Sequence, residues 1–399
     1  MKMPFYGLLL LFTFSQCNTS LTKVQNVKKG TLNAKIKLKY TEQKKFVLDS
    51  VSAPKPDFMQ FVYINGERYL AILNDYAGCI YMYNYSTTEI CNKIFFDKEG
   101  PDGIPKPAGF YIKNLDSIYI FDMVGNVLAL INSDRKVKAR ISLKGEKNDD
   151  RWFVHYPQYE PRTVNPLFEI NNELIFTGQY PFPIPEDIIN KFKFNAQIDL
   201  KTNEVKYYHL YPKELYGNNS NWRGGAYTLV FPELHPDGDK IIYSFPVSHD
   251  LYVTRLKSDE YTKIYAGSNF AGTICSMTGN PKENDRGKMF EHHCKQDFYT
   301  AIRYDKYRKV YYRFLWKGIK NASIHSKLDD KPFAVIIMDE NFNYLGETEI
   351  GTGKDWNWWN SFVTSEGLNI EYIEKEFKEV YLTFKIFNLK DIDNENNKE

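Results

Sequence analysis

Short apolar runs of strand length recur along the chain from residue 58 onward. Most have period-two or fully apolar character and are bounded by turn residues, which is typical of β-strands. The first group of four runs lies at 61–64, 69–73, 80–83 and 94–96. Comparable groups of four follow within 110–143, 167–210, 227–266 and 299–350. The pattern predicts an all-β protein built from repeated four-stranded antiparallel sheets.

The last group of apolar runs is incomplete. It has only three runs, at 359–364, 368–372 and 380–387, before the chain turns polar, while a spare run stands at 44–48. Joining the spare run to the last group would complete a sixth sheet and leave no open edge. Each sheet alone would be marginally stable, so the sheets must pack around an axis. We therefore predict a six-bladed β-propeller whose ring is closed by an N-terminal strand completing the last blade. The alternative is a β-sandwich or two unrelated β-domains.

The lengths of the connections differ between the two rims of such a ring. Connections between strands 1–2 and 3–4 of a blade lie on one rim, and those between strands 2–3 and 4–1 lie on the other. The predicted long connections all belong to the second rim: 97–107, 145–165, 178–195, 211–226, 267–297 and 317–332. Long loops usually carry function in compact domains. This rim, the long-loop face, is the predicted ligand-binding face; alternatively, its loops only cap the central channel.

The N-terminus has the features of an export signal. Lys2 is followed by an apolar run at 8–12 and then by small or polar residues up to Cys17. The apolar stretch is too short for a transmembrane helix. We predict a lipoprotein signal peptide over 1–16, a lipid anchor site and tether over 17–40 with the lipid on Cys17, the propeller over 41–390 and a polar tail over 391–399. A plain signal peptide with an incidental Cys17 is the alternative.

Composition narrows the function classes. The 399 residues include 52 basic and 50 acidic side chains, a net charge of +2, without long blocks of one sign. Because a nucleic-acid binder shows a basic face and a high pI, no nucleic-acid partner is expected. Apart from Cys17, the chain has four cysteines, an even number that permits disulfides in an oxidising compartment. The disulfide candidates are the local pairs Cys79 with Cys91 and Cys275 with Cys294, and the alternative is free thiols.

Aromatic and basic residues in the long connections are the candidate ligand-binding residues. They are Trp222, Arg223, Trp356, Trp358, Arg151 and His155. Trp356 and Trp358 could stack on a sugar or peptide at the entry to the sixth blade, although strand alternation would bury at least one of them. Arg223 could clamp a carboxylate or phosphate. Arg151 and His155 stand near Trp152 and Arg162 in the connection between blades 2 and 3, and local packing is the alternative for each.

Sequence motifs for catalysis, cofactors and metals are missing. The segment Glu291-His292-His293-Cys294 has zinc-ligand residue types, but neighbouring side chains on an extended segment face opposite ways and there is no Cys-x-x-Cys pair. There is no Gly-x-Ser-x-Gly elbow and no Gly-rich phosphate loop. We expect no cofactor and no metal, and the catalytic residues, if any, are unknown. Paired acids for glycoside hydrolysis need not be close in sequence.

Three segments resemble a known family. The residues 95–104, with Glu99-Gly100-Pro101-Asp102-Gly103 at their centre, and the runs 109–112 and 116–121 are similar to the opening of the domain of unknown function DUF4221. That family occurs in lipoproteins of gut and environmental Gram-negative bacteria and is grouped with TolB-like six-bladed propellers. The resemblance implies a propeller and a lipid anchor, and it brings no activity or catalytic residues.

Together, these features predict a lipoprotein of the envelope that is exported and anchored to the outer membrane of a Gram-negative bacterium. A periplasm-facing position is expected because no acidic residue directly follows Cys17. We expect the propeller to be a non-enzymatic binding or scaffolding module for a peptide, a glycan or an envelope protein on the long-loop face. The alternative function is a hydrolase or lyase acting on a polysaccharide or peptide.

Overall fold

The computed structural model describes residues 21–52, 55–132, 134–145, 151–279, 285–376 and 380–392. Cys17 and the predicted signal segment lie outside the described residues, as do residues 393–399 of the predicted polar tail.

Six four-stranded antiparallel sheets make up most of the described chain, which confirms the predicted six-bladed β-propeller. The strands of the first three blades are Met59–Ile64, Glu67–Asn74, Cys79–Asn84 and Ile90–Phe95; Pro107–Asn114, Ser117–Asp122, Val127–Ile131 and Val137–Ser142; and Phe168–Ile170, Glu173–Thr177, Lys193–Asp199 and Val205–Leu210. Those of blades 4 and 5 are Phe231–Leu234, Lys240–Ser244, Asp250–Arg255 and Thr262–Tyr265; and Phe298–Asp305, Val310–Trp316, Pro332–Asp339 and Tyr344–Thr352. Blade 6 contains Trp356–Thr364, Gly367–Tyr372, Tyr381–Asp391 and Ile36–Val47.

The ring closes as predicted. The strand Ile36–Val47 is the fourth strand of blade 6 and pairs antiparallel with Tyr381–Asp391, from Ile36 opposite Asp391 to Val47 opposite Tyr381. Phe46 is fully buried in this strand and packs edge-to-face on Tyr83 of blade 1 and Phe384 of blade 6. The N-terminal strand therefore fills the groove between the first and last blades.

Turn chemistry explains why the connections between strands 1–2 and 3–4 are tight on the first rim, which we call the short-turn rim. Asn65 and Gly66 both have positive φ angles, of 52° and 84°, which fits the two-residue hairpin turns that suit twisted strands. Asn171 and Asn172 make the corresponding turn in blade 3 with φ of 49° and 63°. Asparagine tolerates this left-handed region better than most residues. These turns keep the connections between strands 1 and 2 short.

All the long connections lie on the opposite rim, so the predicted division into two rims is confirmed. They span 96–106, 143–167, 178–192, 211–230, 266–297 and 317–331. They contain the helices α1 (Trp152–His155), α2 (Lys213–Tyr216) and α3 (Arg286–Lys295) and the 3₁₀ turns Gly225–Tyr227 and Leu328–Asp330. Hydrogen bonds join two of these connections to blade 6 and the turn that precedes it. The Val164 amide donates to the Trp359 carbonyl, and the Lys354 amide donates to the Asp329 carbonyl. These hydrogen bonds hold parts of the long-loop face against the ring.

The predicted tether over 17–40 is wrong for its described part. Lys23–Val24 forms a two-stranded pair with Ile274–Cys275, and Asn26 Nδ2 donates to the carbonyls of Ser268 and Ala271. Beyond this segment, the strand of blade 6 begins at Ile36. The residues rich in Lys, Asn and Thr looked like a linker, but their backbone and short polar side chains bond to blades 4 and 5.

Arg313 is the largest fully buried side chain among the described residues. Its guanidinium donates to the carbonyls of Ser248, His249 and Ala266 and lies 3.9 Å from the centre of the Tyr299 ring. Burial lowers the pKa of Arg313 to about 10. A second-strand residue of blade 5 therefore holds the loops of blade 4 in place, which fixes the long-loop face there.

Within the described residues, no helix has the length and apolar character needed to cross a bilayer.

Candidate functional site

A cleft of about 430 Å³ opens on the long-loop face between blades 1 and 2. Its walls come from the turn after the second strand of each of these blades and from three connections that precede first strands, at 48–58, 96–106 and 143–167. The lining residues used below are Asp57, Asp75, Tyr76, Lys106, Trp152 and Arg162, with Phe121 and Tyr159 at the floor. We call this the blade 1–2 cleft. Clefts that gather polar and aromatic side chains are the usual places for ligands.

The floor of the cleft is a packed aromatic cluster, and one of its polar groups has no hydrogen-bond partner among the described residues. The Tyr159 ring stacks on Phe176 with centroids 4.2 Å apart and packs edge-to-face on Phe121 at 5.6 Å. The Tyr159 hydroxyl is buried, and no described residue makes a hydrogen bond to it. Burial raises the pKa of Tyr159 well above its ordinary value, so the hydroxyl stays protonated. A buried hydroxyl in this state is poised to bond to a ligand or a water molecule.

Ion pairs stand on the walls. Arg162 pairs with Asp57, and Lys106 Nζ lies 3.4 Å from Asp75 Oδ2. Both pairs have at least one exposed partner, so each contributes little to stability. Each pair nevertheless presents a donor and an acceptor side by side. The cleft therefore has hydrogen-bonding walls without an excess of either charge.

Aromatic and apolar side chains complete the mouth of the cleft. Tyr76 is 78% exposed on the turn 75–78, and Met123 is exposed on the matching turn of blade 2. Trp152, the first residue of α1, is half-buried and packs edge-to-face on Phe153. Tyr and Trp combine a large apolar ring with one hydrogen-bonding group, so they suit a surface that is exposed to water when no ligand is bound.

A buried polar network supports the connections that form one side of the cleft. The Thr163 hydroxyl accepts from the Met59 amide and donates to Asn360 Oδ1. Asn360 Nδ2 donates to the Pro56 carbonyl at 2.8 Å and to Glu371 Oε2 at 2.6 Å. Burial raises the pKa of Glu371 to about 7 despite these bonds. The network ties the segments around Pro56 and Thr163 to blade 6.

Two of the six predicted ligand-binding residues, Trp222 and Arg223, are buried. Trp222 is 2% exposed, and its indole N–H donates to the Leu215 carbonyl at 2.8 Å. Arg223 is 9% exposed, and its backbone has a φ of +62°. The connection folds back at this point, because Gly224 and Gly225 also have positive φ angles. The structure thus places both residues in packing positions rather than on an open rim.

Trp356 and Trp358 also differ from the predicted open platform. Trp358 is buried and stacks on Trp359 with centroids 4.1 Å apart, and the two indoles line a small apolar cavity at the channel mouth with Trp316. Trp356 is half-buried against Tyr372, with Lys385 Nζ 5.2 Å from the centre of its ring. The prediction that strand alternation would bury at least one of these indoles is confirmed by Trp358.

Among the predicted residues, Arg151 and His155 lie in the connection 143–167, which forms part of the wall of the blade 1–2 cleft. Both are exposed and flank Trp152 at the two ends of α1. Sequence analysis selected the connection 143–167, which contributes Trp152 and Arg162 to the cleft. It missed Tyr76, Asp75 and Lys106 because it examined only the long connections, and Tyr76 stands in a four-residue turn. An aromatic residue in a turn too tight to bury it was the available signal.

The predicted disulfides are wrong, because all four described cysteines are free thiols. In blade 1, Phe95 rather than Cys91 stands opposite Cys79, and Cys91 lies near a bulge by Met82. The two sulfurs are therefore separated along the ladder. Among the described residues there is also no group of three or more His, Cys, Asp or Glu side chains placed to hold a metal ion.

Solved structures share this architecture. A member of the DUF4221 family from Bacteroides vulgatus matches with a TM-score of 0.76 and 23% identity, over 90% of this chain and 99% of that chain. A putative exported protein from Bacteroides fragilis matches with a TM-score of 0.54 and 11% identity, over 89% of this chain and 95% of that chain. At these sequence identities, the two comparisons show a shared fold and nothing about function. Among curated proteins, none matches the chain.

The family comparison agrees with the resemblance found at 95–121. The profile of the family described as "Domain of unknown function (DUF4221)" matches residues 35–349, which include the ring-closing strand and the first five blades. The chain therefore belongs to the DUF4221 family.

Proposed function

We propose that this protein is a non-enzymatic binding module of the bacterial envelope and that it captures a neutral glycan in the blade 1–2 cleft. The proposal depends on two features of one cleft: the exposed aromatic ring of Tyr76 and the buried hydroxyl of Tyr159, which has no hydrogen-bond partner in the described part of the chain. A sugar offers both an apolar face and hydroxyl groups, so it can use the two features together.

The ion pairs of the cleft favour a neutral ligand rich in hydroxyl groups. Asp57 and Asp75 each have a cation beside them, Arg162 and Lys106 respectively. A charged ligand that bonds to one of these four groups would compete with the partner of that group. A hydroxyl group can donate to the carboxylate and accept from the cation without breaking the pair. Paired carboxylates serve better as fixed acceptors than as proton donors, which supports binding rather than catalysis.

Binding of neutral oligosaccharides to the detergent-extracted, full-length protein tests this proposal. Tyr76→Ala should weaken the binding of a glycan hit at least tenfold, because it removes the exposed ring and leaves the core unchanged. Tyr63→Ala is the matched control, since Tyr63 is an exposed tyrosine on the opposite rim. Equal binding by the wild type and Tyr76→Ala would overturn the assignment of the cleft. Capture of peptides and of no glycan would overturn the ligand class.

We also propose export and acylation at Cys17, with the propeller held at the outer membrane and facing the periplasm. The support is the sequence of the N-terminus. Metabolic labelling with a clickable fatty acid should label the wild type and Cys91→Ser, whose exposed thiol serves as the control, but not Cys17→Ser. Label retained by Cys17→Ser would contradict the lipid site.

A further inference from the structure

Exposed large apolar side chains are distributed unevenly over the two rims. On the short-turn rim these are Tyr63, Leu115 and Tyr307. On the long-loop face, with the N-terminal segment bound to it, they are Val27, Val51, Tyr76, Met123, Val124, Phe182, Phe270, Phe290, Ile324 and Val380. Val27, on the N-terminal segment, is 78% exposed. The most exposed aliphatic residues of the connections on that face are Val124, at 71%, and Val51 and Ile324, each at 58%. They stand on connections of three different blades.

Exposed lysines accompany these apolar side chains. Ile324 lies between Lys320 and Lys327, and Val51 is followed by Lys55. The Met123 amide donates to the Lys106 carbonyl, which places Lys106 beside Met123 and Val124. Single apolar side chains with nearby lysines are typical of surfaces that bind at a lipid interface, where lysine meets anionic headgroups.

The described chain also begins on this face. The Thr22 amide donates to Ser276 Oγ at 3.0 Å, and Lys23–Val24 pairs with Ile274–Cys275 in the connection 266–297. Cys17 precedes Leu21 by four residues, which reach about 14 Å when extended. A lipid on Cys17 would therefore hold the long-loop face, and not the short-turn rim, next to the bilayer.

We infer that the long-loop face rests on the bilayer surface, with Val51, Val124 and Ile324 inserted among the lipids. The inference rests on the proposed function only for the lipid on Cys17. A planar lipid surface fits better than a protein partner, because the three aliphatic residues stand on separate connections around the rim and do not form one contiguous patch. A contiguous patch is what a protein interface requires.

This orientation specifies where the ligand of the blade 1–2 cleft is found. Tyr76 and Met123 belong both to the cleft and to the lipid-facing surface. The cleft therefore opens toward molecules at the membrane surface. The sugar headgroups of glycolipids lie there and carry hydroxyl groups that can bond to the walls of the cleft.

Depth-dependent quenching in vesicles tests the orientation. The acylated full-length protein, with Cys91 and Cys275 replaced by serine, is labelled with an environment-sensitive fluorophore at Val124→Cys, at Ile324→Cys or, as the control on the short-turn rim, at Leu115→Cys. In vesicles of phosphatidylethanolamine and phosphatidylglycerol, nitroxide-bearing lipids should quench the probes at 124 and 324 at least threefold more than the probe at 115. Equal quenching at the three sites would overturn the inference.

Two further variants separate insertion from tethering. A flexible Gly/Ser spacer between Ser20 and Leu21 should leave the quenching of the probe at 124 unchanged. The double substitution Val51→Asp with Ile324→Asp should reduce that quenching at least twofold. Loss of quenching in the spacer variant would show that the short anchor alone sets the orientation and would overturn insertion. Mass spectrometry of the N-terminal peptide reports acylation independently, so a missing lipid is distinguished from a wrong orientation.

Discussion

Asn360 and Glu371 are joined by a hydrogen bond of 2.6 Å from the side-chain amide of Asn360 to the carboxylate of Glu371, and both side chains are buried. The bond links the first two strands of blade 6 and, through the Pro56 carbonyl, reaches the wall of the blade 1–2 cleft. Because Glu371 is a titratable carboxyl group, the stability of the network that holds this wall should depend on pH.

Stability should fall as Glu371 ionises. Burial is the largest cause that raises its pKa, from 4.5 to about 7, and the bonds from Asn360 and Asn357 only oppose it. Between these two values the folded protein holds a proton that the unfolded chain has released, so the free energy of unfolding decreases as pH rises. The stabilisation is complete below pH 4.5 and lost above about pH 7, and it amounts to roughly 3 kcal/mol at most.

Glu371→Gln isolates this contribution. Glutamine keeps an acceptor for Asn360 but carries no charge, so the variant should gain stability relative to the wild type as pH rises from 5 to 8. Chemical denaturation at both values measures the difference, and comparison with the wild type cancels the buried histidines, which titrate in both proteins. A difference that stays constant with pH would contradict the assignment.

Trp222→Ala should unfold the protein more easily. The indole is buried, packs on Tyr227 with centroids 5.8 Å apart and donates to the Leu215 carbonyl. Truncation of a buried tryptophan typically costs about 3–5 kcal/mol. Trp152→Ala is the control, since Trp152 is half-buried in the cleft wall. Denaturation midpoints that are unchanged for Trp222→Ala would return this residue to the list of surface ligand contacts.

Phe46→Ala tests the closure of the ring. The side chain fills the groove between blades 1 and 6, so its loss should cost about 3–5 kcal/mol and loosen the N-terminal strand. Val47→Ala is the control, because the neighbouring side chain is about half exposed on the other face of the same strand. Thermal unfolding and proteolysis near residue 40 measure both effects. Equal stability of the two variants would contradict a structural role for the closing strand.

Local patterns in the sequence predicted the ring but not the cleft. The period of apolar residues predicted the blades, because each strand is a run of neighbouring residues. The closing strand pairs with the far end of the chain, and it was located because the last group lacked a fourth run while a spare run stood near the N-terminus. The disulfide prediction failed because the turn at 85–88 is much closer to Cys91 than to Cys79, so the ladder places Phe95 opposite Cys79 and leaves Cys91 near Met82. The tether prediction failed because composition does not reveal that Asn26 bonds to residues more than 240 positions away.

The site residues show the same limit. Trp222 and Trp358 were chosen for their chemistry, but their burial depends on which segments fold over them. The wall of the cleft combines residues from separate connections, such as Asp57 and Arg162, which come together only in the closed ring. Sequence analysis could assign function to a face, whereas the contacts within that face required the structure.

Tyr159→Phe should separate ligand binding from stability more sharply than any change in the cleft wall. The Tyr159 hydroxyl is buried without a described partner, so its removal leaves no protein group unpaired and should raise the free energy of unfolding by about 1 kcal/mol. A ligand that bonds to this hydroxyl loses the bond, so its affinity should fall about tenfold. Tyr83→Phe is the matched control, because its buried hydroxyl donates to the Val47 carbonyl at 2.8 Å and its removal should lower stability without changing affinity. Denaturation and glycan titration of both variants check the expectation. Unchanged affinity in Tyr159→Phe would show that the hydroxyl does not contact the ligand, and lowered stability would show that it has a partner within the fold.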